Sequence, residues 1–152
     1  MAPGGTTEPK PSRGALHRSP CGYRRAVSAS TVWTLHVAAT TVDSCRRVIG
    51  RVAETIGIEI ELESLERYWE DPSHHVAVFT TELDSVDPAA AVLQTLALAG
   101  LLRTDWTLTT PQIEADGSWS LDLVAAADAF GGGFLVPGIT WAHLQSGTRI
   151  RG

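Results

Sequence analysis

Apolar and polar positions alternate along Thr31–Ala39. Trp33, Leu35, Val37 and Ala39 share one face and Thr34 and His36 the other, which predicts a half-buried strand. Thr41 or Asp43 can cap the helix predicted next. There Val42, Cys45, Ile49, Val52 and Ile56 recur every three or four residues, Arg46, Arg47, Arg51 and Glu54 take the wet face, and Gly57 supplies the stop. Ile58, Ile60 and Leu62 then alternate with Glu59, Glu61 and Glu63, predicting a strand with an acidic outer face. Glu70-Asp71-Pro72-Ser73 reads as a turn, and His75–Thr81 returns as a β-branched and aromatic strand.

Asp87-Pro88 is a helix opening, an N-cap followed by proline at the first helical position. The helix predicted through Ala89–Leu102 is apolar almost all round: Val92, Leu93, Leu96, Ala97, Leu98, Leu101 and Leu102 cover more than one face. A helix lying on a sheet with water behind it should have a polar back, and this one does not. Trp106, Leu108 and Thr110 begin a further strand that Pro111 ends or bends. Ala115-Asp116-Gly117-Ser118 predicts a tight turn, after which Trp119, Leu121, Leu123 and Ala125 alternate. From Asp128 the pattern dissolves into Gly131-Gly132-Gly133, read as a flexible connector. An apolar tail of Phe134, Leu135, Val136, Ile139, Trp141 and Leu144 follows.

The order β-α-β-β-α-β, with one more strand appended as a hairpin, predicts an α+β domain. With right-handed crossovers it becomes the ferredoxin-like split βαβ arrangement, an antiparallel sheet with two helices on one face. The expected organisation is a disordered basic tail over residues 1–30 and the sandwich over 31–127. A glycine-hinged apolar segment over 128–152 must dock on the domain or on a partner.

Charge is distributed unevenly within a net of −5. The first 30 residues hold Lys10, Arg13, Arg18, Arg24 and Arg25 against Glu8 alone, so the rest of the chain is strongly acidic. An acidic body repels phosphate backbones, which argues against nucleic-acid binding by the folded part. The longest near-apolar run, Ala89–Leu102, falls short of the roughly 20 residues a membrane span needs. Cys21 and Cys45 form no disulfide framework, and no signal-peptide core opens the chain, so the expectation is a cytoplasmic protein.

No catalytic motif is present and no cofactor is implied, which leaves catalysis undecided and leans against it. The chemically suggestive residues are His36, His75 and Glu61. In the expected fold His36 and His75 would be neighbours on the open sheet face with Glu61 alongside, a set able to bind a small ligand or a metal ion, or to act as an acid–base pair. Cys45 falls at a core-facing spacing. The glutamates Glu59, Glu61 and Glu63 either discourage edge-to-edge pairing or dock a basic partner, and Trp69 and Trp141 are candidate anchors at an interface. The leading expectation is a non-catalytic interaction module that binds a partner protein, in the manner of an inhibitor or immunity protein, or binds itself as a homodimer. The alternative is a small-molecule-binding or enzymatic domain built on the His/Glu set.

Overall fold

A computed structural model describes residues 4–5 and 27–150, with the Ile150 side chain left aside. It is a mixed α+β fold with a seven-stranded antiparallel sheet and two helices. Strand β1 spans Val27–Val37, α1 Val42–Ile56, β2 Leu62–Arg67, β3 His75–Glu82 and α2 Pro88–Leu102. Two short strands follow, β4 (Thr107–Leu108) and β5 (Gln112–Ile113), then β6 (Trp119–Ala126) and β7 (Ile139–Ile150). The sheet order is β2-β3-β1-β7-β6-β4, with β5 also on β6.

The helix boundaries follow from capping chemistry. Thr41 Oγ1 accepts from the Ser44 backbone N–H at 3.1 Å, and Gly57 closes α1 in the left-handed region at φ 70°. Asp87 Oδ2 accepts from the Ala90 N–H at 3.0 Å, and Pro88 opens the first turn of α2. Alternation sends Thr31, Trp33, Leu35 and Val37 of β1 to the helix-covered face, with Ala77 and Phe79 of β3, Ala142 and Leu144 of β7, and Leu121 and Leu123 of β6. Trp33 stacks on Phe79 with centroids 5.5 Å apart, and its indole N–H donates to Thr81 Oγ1 at 2.9 Å. Cys45, Ile49, Val52 and Ile56 bury the inner stripe of α1 against this face.

Three expectations require correction. The tail was expected to reach residue 30, but Val27–Ser30 already belong to β1 and pair with the end of β7. The rest of that tail, apart from residues 4–5, lies outside the described residues. The strand expected from Ile58 begins at Leu62, where pairing with β3 starts opposite Phe79. Ile58 and Ile60 still pack on the core, but with no strand beside them. The C-terminal segment is no appendage: β7 lies between β1 and β6 at the centre of the sheet. The glycines before it form an ordered turn, in which Asp128 Oδ1 accepts from the Phe130 and Gly132 N–H groups at 2.9 and 2.7 Å.

Candidate functional site

Sheet parity separates the residues expected to form a His/Glu site. His36 lies opposite Val76, and His75 lies opposite Val37, so the two imidazoles point to opposite faces. His75 is buried under the helices, with Nδ1 2.6 Å from the Ala39 carbonyl oxygen. Glu61 is exposed, one residue before β2 begins. Among the described residues no group of three or more His, Cys, Asp or Glu side chains is placed to hold a metal ion.

What the open face does assemble is a row of rings. His36 meets Tyr68 and Trp141 edge-on, each with centroids 4.8 Å apart, and Trp141 lies 5.8 Å from His143. His143 Nε2 is 2.7 Å from Asp122 Oδ1. Burial holds the His36 pKa below its ordinary value of 6.5, and the charge of His74 adds to the effect. Val76, Val78, Thr34 and Val124, all half-buried, fill the remaining positions. Sequence reasoning missed Tyr68, Asp122 and His143. Only the alternation of Asp122 with its apolar neighbours in β6 could have placed it.

The acidic residues gather at the β2 edge of the sheet. Glu59 and Glu61 line, with Ile60, an open depression of about 440 Å³. Glu63, at the register shift in β2, accepts a hydrogen bond from Thr80. Trp69, 83 % exposed, projects from the loop after β2 and meets the Tyr68 ring edge-on. Trp141, the other anchor candidate, is half-buried two strands further in, beyond β3 and β1. Tyr68 and His36 bridge Trp69 to Trp141, while Glu59 and Glu61 precede β2.

The outer face of α2 does form a surface. Ala91, Thr95, Ala99 and Leu102 are the buried residues of this helix. The opposite side presents Ala89, Ala90, Leu93, Ala97, Gly100 and Leu101 to solvent, and Leu93 is 68 % exposed. No charged residue occurs between Asp87 and Arg103. Gln94 is turned back onto Asp84, donating to Oδ2 at 3.2 Å and accepting from its N–H at 2.8 Å. Leu135, also 68 % exposed, lies at the C-terminal end of this helix, where its N–H donates to the Leu102 carbonyl at 2.8 Å. Helix α1, by contrast, turns Arg46, Arg47, Arg51 and Glu54 outward.

Compared with protein-family models, curated proteins and solved structures, the chain matches none. No helix among the described residues is long and apolar enough to cross a membrane.

Proposed function

We propose that this protein is a non-catalytic interaction module whose docking surface is the outer face of α2. One observation carries the reading: a row of alanine, leucine and glycine from Ala89 to Leu101 faces water on a helix whose neighbour keeps the normal charged back. Burying a leucine completely is worth about 1.5–3 kcal/mol, so Leu93 and Leu101 offer free energy that folding has left unused. The C-terminal segment no longer supports the reading, since Ile139, Ala142 and Leu144 are enclosed within the chain itself.

The acidic β2 edge fits this role by exclusion. Glu59, Glu61, Glu63 and Glu66 repel one another and any strand approaching the edge, which keeps the sheet from associating where the helix should. The same acidity turns nucleic acid away from the folded part. With two cysteines, of which Cys45 is buried and free, a reducing cytoplasm is the compartment in keeping with this reading.

The fold reads as the ferredoxin-like split βαβ with an added wing. β1 and β2, joined through α1, flank β3, and β3 and β7, on either side of α2 in the chain, flank β1. In this reading β4, β5 and β6 are the wing beyond β7. The fold itself hosts many functions and assigns none.

The test is a benzophenone photo-cross-linker at position 93 in cells, with one at position 54 on α1 as the control. An adduct from position 93 and none from position 54 is expected. No adduct from position 93 would contradict the docking surface.

A further inference from the structure

We infer that the occupant of the α2 outer face is a second copy of this chain, packed with its own α2 antiparallel to the first about a two-fold axis beside Thr95. The inference rests on the docking reading above and names its partner. In an antiparallel helix pair, residues that face each other lie at nearly equal distances on either side of the axis and on the same flank of the contact. With the axis at position 95, Leu93 of one copy faces Ala97 of the other, Leu101 lies against Ala90, and Ala89 against Gly100. Every large side chain meets a small one, and the two-fold repeats each match.

All six of these residues are solvent-exposed in the single chain. A Cβ built at Gly100 meets nothing within 4 Å, so the space beside it is open for Ala89 of the other copy. Moving the axis to position 97 sets Leu93 against Leu101 and Ala97 against Ala97, which props the helices apart at both ends and leaves the middle empty.

Charge selects the same arrangement. The residues that bound the uncharged stripe are Asp87 and Arg103. A parallel pair sets the two Asp87 side chains together, whereas the antiparallel pair separates them to opposite ends of the contact. Antiparallel packing also opposes the two helix dipoles. Self-pairing through the β2 edge would oppose glutamates and through the outer face of α1 arginines, whereas the uncharged stripe opposes no like charges.

The experiment is sedimentation of the full chain across a concentration range. Wild type is expected to pass from one chain mass to two. Leu93→Lys and Ala97→Glu are each expected to stay at one chain mass while keeping the wild-type circular dichroism. An equal mixture of the two is expected to return to the double mass, because Lys at 93 in one copy then faces Glu at 97 in the other. Gly100→Gln, whose Cβ meets nothing within 4 Å in its own chain, is expected to weaken the dimer about tenfold or more. A wild type that remains one chain at every concentration overturns the inference. So does a dimer that survives Leu93→Lys, or a mixture that fails to reassociate. A cross-link from position 93 to a different protein, with a monomeric wild type, overturns the second copy and leaves the docking surface standing.

Discussion

Thr31 Oγ1 and Ser146 Oγ stand 2.7 Å apart, a cross-strand pair buried between β1 and β7. Thr95 of α2 completes the group, with its Oγ1 3.0 Å from Ser146 Oγ and donating to the Ala91 carbonyl at 3.0 Å. Three hydroxyls thus satisfy one another inside an otherwise apolar layer, and they set which turn of α2 sits over the sheet. Ser146→Ala should cost about 1 kcal/mol in urea unfolding. The triple change Thr31→Val, Thr95→Val, Ser146→Ala should cost less than the sum of the single changes, because removing all three leaves no hydroxyl unpartnered.

Trp33 gives a sharper case of the same rule. Its indole N–H is fully buried and its partner is Thr81 Oγ1. Thr81→Val should lower stability by about 1–3 kcal/mol, and Thr81→Ser, which keeps the acceptor, by clearly less. Paired urea titrations read the difference.

Much of the layout was legible from period alone. Both helices and their caps, β1, β3 and β6 follow from spacings of two or of three to four. The miss at β7 has a local cause. A register shift at His36/Val37 changes the parity between Ile139 and Ala142, and the buried face is then Ala142, Leu144 and Ser146, too small and polar to register as apolar alternation. The His36–His75 pairing failed for a related reason. Adjacent strands were foreseen, but whether two residues share a face depends on register, and a one-residue offset reverses it. For α2 the composition revealed an excess of apolar surface. Which side stayed wet depended on where Thr95 met the sheet.

His36 makes stability depend on pH. Burial lowers its pKa in the folded chain, so below the ordinary 6.5 the unfolded chain takes up a proton before the folded one does. Stability should therefore fall as pH drops from 6.5 toward the folded value. Asp71 contributes separately and lower. Hydrogen bonds from Ser73 hold its pKa below 3.8, so its contribution is lost only in stronger acid. Thermal melts from pH 7 to 5 should show a decline that His36→Asn flattens and Asp71→Asn leaves in place.

Cys45 should be inert. It is fully buried, and burial raises its thiol pKa, with Arg46 opposing the shift only in part. Peptide mapping after native iodoacetamide treatment should find Cys45 unmodified, and mapping after denaturation should find it alkylated.

Gly100 separates folding from association. Replacing a helical glycine stabilises a helix by up to about 0.5–1 kcal/mol, and Gly100 lies in the last turn of α2. Gly100→Gln should therefore melt at a higher temperature than wild type when both are dilute, while associating more weakly. A variant that gained both properties would place the contact elsewhere.

Hydroxyl-radical labelling of Leu93 addresses the central claim most directly, with the exposed Val42 on α1 as the internal reference. Labelling of Leu93 relative to Val42 is predicted to be high in dilute purified protein and to fall sharply in concentrated protein and in cells. Equal labelling under all three conditions would mean that the outer face of α2 stays wet, and the account would be contradicted.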